Sequence, residues 1–168
     1  WRCAEADALE LRIELAREWA LCWRLGPAVW MERKEGGTRS RLYIDGRLAA
    51  ELSLARGLAI AGEAAEEALE PFAMAEAAEY DPQAKTLYFG AGGAGAFAAA
   101  FSIDAQGNLA LAGEIREFAA LEPVALNGCF EAGDGWFGWG TGAQAPAALY
   151  AAASRRLSLA GELRQGLP

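Results

Sequence analysis

The chain contains no histidine among its 168 residues. It therefore holds no Ser-His-Asp triad, no Cys-His pair and no histidine-ligated metal site. Its three cysteines, Cys3, Cys22 and Cys129, are far apart and form no CxxC pair, so they indicate neither a disulfide framework nor a zinc site. These gaps favour a protein that is not an enzyme, and they predict no metal ligands.

Basic residues are few as well. Lys and Arg together number 15 against 23 Asp and Glu, which gives a net charge of −8. Because phosphate binding needs clustered Lys and Arg, this balance argues against a nucleic-acid partner. The basic cluster at 33–41, RKEGGTRSR, is typical of a solvated hairpin tip.

Long apolar runs are missing too. No stretch of about 18 uncharged apolar residues occurs, so we expect no transmembrane span and a soluble protein. The opening residues, WRCAEADALE, lack the basic start and apolar run of a signal peptide. With a hydrophobic share of 54% in 168 residues, the sequence predicts one globular domain over 1–168 that buries a core.

Internal repetition is the strongest positive feature. Three motifs recur in the same order at intervals of about 50 residues, the period of propellers and other repeat folds. A Leu-Ala-Gly-Glu motif has its leading leucines at Leu9, Leu58, Leu109 and Leu157. A proline motif is ALEPFAM at 68–74, ALEPVAL at 120–126 and a weaker copy around Pro27. An aromatic motif is RLYIDG at 41–46, TLYFGAG at 86–92 and GWFGWGTG at 135–142.

The local pattern inside these units is that of β-strands. In LELRIEL, residues 9–15, apolar and charged side chains alternate with the period of a half-buried strand. Two other segments, 4–25 and 62–80, are also compatible with helices, because they are rich in helix-forming residues. We predict a mainly β domain of antiparallel units at about 24–66, 67–117 and 118–166, preceded by a leading strand at 8–17.

Residues 68–115 resemble one blade of a lactonase- or NHL-type β-propeller. The family's D-P-x-x-K-x-L-Y turn and strand is matched by DPQAKTLY at 81–88, and its D-x-x-G-x turn by DAQGN at 104–108. The likeness is weaker over 120–163 and weakest over 26–64. It implies propeller-like blades, although three units are fewer than the four to eight of a closed propeller. A β-trefoil and a lipocalin-like barrel are the alternative architectures.

A competing interpretation rests on Gly90, Gly92 and Gly95, which have GxGxxG spacing after a strand-like run. Glu114 follows at about the distance of the acid that binds ribose hydroxyls in dinucleotide-binding folds. This piece resembles the glycine turn of Rossmann dehydrogenases such as shikimate dehydrogenase. The resemblance implies an NAD(P)-binding oxidoreductase and requires a helix after the glycines, where AFAAAFSI at 96–103 is short for one.

The most distinctive surface candidate is EAGDGWFGWGTGAQ at 131–144. Exposed Trp rings stack on sugars or on partner side chains, and the glycines leave space around them. The predicted ligand-binding residues are Asp134, Trp136, Trp139, Thr141 and Gln144. The alternative is that the rings alternate into the core, where large aromatics usually lie.

Together these patterns favour a non-catalytic β-repeat domain that needs no cofactor. It would bind a small molecule or glycan through 131–144, or a protein partner through the same surface. An NAD(P)-dependent oxidoreductase is one alternative. A structural subunit of a larger assembly, which self-associates, is another.

Overall fold

A computed structural model of the chain describes residues 20–93, 96–124, 126, 128–141 and 146–167. Within these residues the chain forms β-strands and one 3-10 turn but no α-helix, which confirms the mainly β prediction. The predicted leading strand at 8–17 lies outside the described residues. No helix long and apolar enough to cross a membrane occurs in the described part of the chain.

The first sheet begins as an antiparallel meander. Its strands are β1 (Ala20–Leu25), β2 (Val29–Lys34), β3 (Arg39–Ile44), β4 (Arg47–Ser53) and β5 (Gly57–Ile60). The 3-10 turn at Glu35–Gly37 joins β2 to β3, so the basic cluster at 33–41 does form a hairpin tip. Along β3, Ser40, Leu42 and Ile44 are buried and alternate with half-buried residues, as expected for a sheet with one face on the core.

The second sheet occupies the middle of the chain. Its strands are β6 (Ala64–Ala65), β7 (Ala73–Met74), β8 (Ala78–Asp81), β9 (Thr86–Gly93), β10 (Ala96–Asp104) and β11 (Leu109–Leu111). Strands β8 to β11 form the meander, and β7 pairs with the start of β10. Strands β6 and β7 fall within 62–80 and β8 begins there, so the helical option for that segment is wrong. Pairing with neighbouring strands overrides the helix propensity of its alanines and glutamates.

The third sheet contains a four-stranded meander like that of the second sheet. Its strands are β12 (Glu114–Arg116), β13 (Phe130–Gly133), β14 (Trp136–Gly140), β15 (Pro146–Ala151) and β16 (Arg156–Leu159). A last strand, β17 (Glu162–Gln165), follows it. Strands β13 to β16 pair antiparallel in chain order, whereas β12 joins the edge of β16 in parallel.

Each sheet is completed by a short strand that follows the last strand of another sheet. Strand β6 follows β5 of the first sheet and pairs in parallel with β11 of the second. Strand β12 follows β11 and pairs with β16, and β17 follows β16 and returns to pair with β5 of the first sheet. The exchange of edge strands therefore links the three sheets in a cycle.

Glycine permits the close approach at each junction of this cycle. The glycine of the Leu-Ala-Gly-Glu motif precedes β6, β12 and β17, and a Cβ atom built there would overlap the turn that leads into the neighbouring edge strand. The contacting pairs are Gly62 with Asn108, Gly113 with Arg155, and Gly161 with Arg56. The motif that recurs in the sequence is thus the point at which the chain leaves one sheet and joins the next.

The inner faces of the three sheets contribute to one hydrophobic core. The motif leucines Leu58, Leu109 and Leu157 are buried in it, and its aromatic centre is built around Phe89. The Phe89 ring stacks on Phe101 with centroids 4.7 Å apart. The sheets remain separate in their strand pairing and none closes into a barrel, so the lipocalin-like alternative is wrong.

Candidate functional site

A groove lies on the outer face of the second sheet. Antiparallel pairing sets Tyr88 of β9 opposite Ser102 of β10, and Thr86 opposite Asp104. The residues between them, Leu87 and Ile103, are fully buried in the core. Because successive side chains of a strand alternate between faces, the four polar residues share the outer face. They form the floor of what we call the outer groove.

A strap of residues 66–72 crosses this face and forms one wall of the outer groove. Its backbone is fixed to the sheets, since the N–H of Glu67 donates to the Gly113 carbonyl at 3.0 Å and the N–H of Ala99 donates to the Phe72 carbonyl at 2.9 Å. The Glu66 carboxylate accepts a further bond from the Ile115 N–H at 3.0 Å. The strap is therefore an ordered element.

An aromatic pair joins the strap to the floor. The Phe72 ring stacks on the Tyr88 ring with centroids 4.5 Å apart and an angle of 20° between the planes. Phe72 is nevertheless 37% exposed, which is unusual for a large apolar residue of this protein. The pair therefore presents an apolar surface to the groove.

The outer groove has a volume of about 540 Å³, within the usual range of about 300–1,000 Å³ for small-molecule sites. Its lining combines the strap, the floor and the edge strands. The lining residues are Glu63, Ala65, Ala68, Leu69, Glu70, Pro71, Phe72, Thr86, Tyr88, Ser102, Asp104, Asn108, Leu109 and Ala110. The charged side chains among them are three carboxylates, and no Lys or Arg belongs to this lining.

One end of the groove is held rigid by a hydrogen-bonded turn. The Asp104 carboxylate accepts bonds from the backbone N–H of Gln106 at 2.9 Å and of Asn108 at 2.8 Å, and from the Asn108 side-chain amide at 2.8 Å. The Asn108 side-chain oxygen accepts in turn from the Glu63 N–H at 3.1 Å. The DAQGN turn thereby fixes the position of a negative charge at the groove.

Ser102 supplies a polar group that is not used by the fold. Its side chain is 5% exposed and lines the outer groove. Its hydroxyl makes no hydrogen bond to any residue in the described part of the chain, whereas the neighbouring Thr86 hydroxyl donates to the Ala84 carbonyl at 3.1 Å. This hydroxyl is therefore available for a hydrogen bond from within the groove.

The residues predicted at 131–144 do not form one surface site. Trp139 is 1% exposed and packs in the core, and Thr141 is fully buried with its hydroxyl donating to the Gly37 carbonyl. Asp134 is exposed at the β13–β14 turn, and the half-buried Trp136 ring lies against Gly133. Gln144 lies outside the described residues. Only the turn with Asp134 and Trp136 therefore reaches the surface in the described part of this segment.

The Rossmann interpretation needs a correction. Gly90 and Gly92 lie inside strand β9, which pairs antiparallel with β10, so a strand stands where the dinucleotide fingerprint requires a helix. Gly95 lies outside the described residues. The Glu114 carboxylate binds Arg156 at 2.5 Å across two parallel strands. The glycines serve close packing instead, since a Cβ atom on Gly90 would lie 2.9 Å from the Met74 sulfur.

Sequence reasoning missed the outer groove although its parts were visible. The strap is the first copy of the proline motif, ALEPFAM at 68–74, and the floor is the aromatic motif TLYFGAG at 86–92. What the sequence did not reveal is that the first lies across the second. Among the described residues, no group of three or more Asp, Glu or Cys side chains is placed to hold a metal ion.

Comparison with known proteins adds no relative: no family model, curated protein or solved structure matches this chain.

Proposed function

We propose that this chain is a non-catalytic binding domain and that its ligand is a carbohydrate-like molecule held in the outer groove. The observation that carries the proposal is the combination, in one cavity, of the stacked Phe72–Tyr88 pair with the unpartnered Ser102 hydroxyl. Sugars have apolar C–H faces and a rim of hydroxyls, and a site of this kind serves both parts.

Each part of the outer groove has a task in this proposal. The C–H face of a sugar ring packs on Phe72, which is exposed enough to be covered. Sugar hydroxyls donate to the carboxylates at the rim, because ionised carboxylates are strong acceptors. Ser102 bonds a further hydroxyl from the floor. The strap needs no large rearrangement, since its backbone is already bonded to the sheets.

We also propose that the three meanders are repeats of one unit, at about 24–66, 67–117 and 118–166. The cyclic exchange of edge strands supports this, as does the glycine at each junction. The units are propeller-like in having a four-stranded meander each. They differ in their outer faces: among the described residues, it is the strap copy at 68–74 that places a phenylalanine beside a tyrosine.

The test is calorimetric titration with neutral oligosaccharides, beginning with the β-1,4-linked glucose tetramer. Binding is expected for the unmodified chain, with affinity lowered at least about tenfold by Tyr88→Ala and by Phe72→Ala. The matched control is Tyr43→Ala. Tyr43 is also a half-buried tyrosine stacked on another ring, with its centroid 5.2 Å from Trp30, but it lies on the first sheet.

The outcomes are distinct. Loss of affinity in Tyr88→Ala with none in Tyr43→Ala supports the proposal, provided that both variants retain the strand spectrum in circular dichroism. Equal loss of affinity in both variants would indicate a general effect on folding. The Phe72→Ala variant, which is altered in the strap alone, would then test the groove: retained affinity in it would overturn the proposal. Loss in Trp136→Ala with none in Phe72→Ala would overturn the proposal in favour of the β13–β14 turn.

A further inference from the structure

The charges at the outer groove have one sign. Glu63 and Glu70 are exposed at its rim, and Asp104 is fixed at its end by the DAQGN turn. The groove lining contains no lysine or arginine to neutralise them. Carboxylates that share a cleft with low-dielectric walls focus a negative potential, which attracts cations and repels anions.

A second observation points to a ligand rather than to a solvated acidic face. The Ser102 hydroxyl lies on the floor of the same cavity, is 5% exposed, and has no hydrogen-bond partner among the described residues. The stacked rings of Phe72 and Tyr88 lie beside it. A solvated acidic face needs neither a cavity of about 540 Å³ nor a buried hydroxyl that points into it.

An ammonium group on a sugar ring fits this combination. The ammonium donates three hydrogen bonds and pairs with Glu63, Glu70 or Asp104, and it gains further from the face of an aromatic ring. The ring hydroxyls still reach Ser102, and the C–H face still packs on Phe72. A neutral sugar would leave the carboxylates without a countercharge, and a uronic acid would be repelled.

Resting on the proposed function, we infer that the outer groove selects amino sugars, and that its ligand class is a short oligosaccharide with free amino groups, for which the β-1,4-linked glucosamine tetramer is the probe. The carboxylates of Glu63 and Glu70 supply the charge selectivity. Asp104 contributes less to direct pairing, because its oxygens already accept three hydrogen bonds within the turn.

The experiment compares four tetramers by calorimetric titration at about pH 6, where the amino groups are charged: glucosamine, N-acetylglucosamine, glucose and glucuronic acid. The glucosamine tetramer is expected to bind about tenfold or more tighter than the glucose and N-acetylglucosamine tetramers, and the glucuronic acid tetramer most weakly. Raising NaCl from about 20 mM to about 500 mM is expected to reduce the preference for glucosamine by screening it.

Variants identify the residues responsible. Glu63→Gln with Glu70→Gln is expected to lower affinity for the glucosamine tetramer about tenfold and affinity for the glucose tetramer by clearly less, because a glutamine oxygen still accepts from a sugar hydroxyl but carries no charge. The matched control is Glu122→Gln. Glu122 is exposed in the second copy of the proline motif, ALEP at 120–123, where Glu70 stands in the first.

The result separates this inference from the proposal on which it rests. Glucose and glucosamine tetramers bound with equal affinity, both lost in Phe72→Ala, would overturn charge selectivity while upholding the carbohydrate site. No binding of any tetramer would overturn both. A preference for glucosamine that survives in the doubly substituted variant but falls in Glu122→Gln would place the cation site on the third sheet and refute the assignment.

Discussion

Gly113 lies so close to the backbone carbonyl of Arg155 that a Cβ atom on Gly113 would overlap the carbonyl oxygen. This contact stands where the chain leaves the second sheet at β11 and joins the third as β12. Two hydrogen bonds close the same junction: the N–H of Glu114 donates to the Arg155 carbonyl, and the Arg155 guanidinium donates to the Ala112 carbonyl. Gly62 and Gly161 stand at the corresponding junctions.

Substitution of Gly113 by alanine is expected to be severely destabilising. The new methyl group must displace backbone rather than a flexible side chain, and the φ of +150° is one that L residues rarely adopt. We expect a loss of about 3 kcal/mol or more in the free energy of unfolding, measured by urea denaturation. The control is Gly26→Ala at φ +71° with nothing within 4 Å, where about 1–2 kcal/mol is expected. Equal losses of unfolding free energy at the two positions would show that the close backbone approach at Gly113 is not needed for stability.

Tyr150 stabilises the same junction from the core. Its hydroxyl donates to the Ala112 carbonyl at 3.0 Å, and burial raises the pKa of this phenol. Tyr150→Phe is expected to cost about 1 kcal/mol of unfolding free energy, because the Ala112 carbonyl retains its bond from Arg155 and only one hydrogen bond is lost. A loss above about 3 kcal/mol in chemical denaturation would contradict this assignment of partners.

Ser40 is a position where replacement is expected to stabilise the protein. Its side chain is fully buried on β3, and its hydroxyl has no partner among the residues described. Ser40→Ala removes a desolvated polar atom and is expected to raise the unfolding free energy by about 1 kcal/mol. The matched control is Ser53→Ala, which deletes a hydroxyl that accepts from the Ala55 N–H at 3.3 Å and is expected to destabilise slightly. A larger loss at Ser40 than at Ser53 would refute the prediction.

An ion pair links turns of the first and second sheets. Lys85 binds Asp45 at 2.6 Å, and this hydrogen bond, followed by the charge of the lysine, lowers the pKa of the Asp45 carboxyl. Because the folded-state pKa lies below the ordinary value, the pair contributes stability at higher pH and loses it as pH falls through the lowered pKa. NMR titration is expected to show the Asp45 pKa rising towards its ordinary value in Lys85→Met. An unchanged pKa would show that the pair does not form in solution.

The fold class could be predicted because alternation and turn residues are local signals. The strands around Leu58, Leu109 and Leu157 lie where the recurring motif placed them, and all three leucines are buried. The exchange of edge strands was not predictable in the same way. It depends on contacts between residues far apart in the sequence, such as Gly161 with Arg56. A glycine in a recurring motif does not indicate which distant residue it will contact.

The candidate site could not be predicted because residues that align between the motif copies in sequence do not occupy equivalent positions in the sheets. The sequence aligns Tyr43 with Tyr88 through the shared Leu-Tyr pair. By strand pairing, however, the position equivalent to Tyr88 is Arg41. Arg41 lies opposite Glu51 in the first sheet, as Tyr88 lies opposite Ser102 in the second. The outer face of the first sheet consequently carries an ion pair, with Arg41 bound to Glu51 at 2.6 Å. The first sheet also has a stacked aromatic pair, Trp30 with Tyr43, but the tyrosine of the second sheet stands opposite a serine and stacks on a ring of the strap.

The large aromatics of 131–144 were ambiguous for a different reason. A strand with rings at successive positions must direct some of them inward, and the sequence alone does not determine which side chains face the core. In β14 it is Phe137 and Trp139 that enter the core, where Trp139 stacks with Phe89 at 5.9 Å between centroids. A one-residue change in register would have exposed them.

The most direct measurement is a map of backbone amide shifts as the isotope-labelled chain is titrated with the glucosamine tetramer and, separately, with the glucose tetramer. A ligand in the outer groove is expected to shift the amides of Phe72, Tyr88 and Ser102 most, with both tetramers shifting the same set. Shifts centred on Asp134 and Trp136, with those three amides unmoved, would contradict the assignment of the binding site to the second sheet.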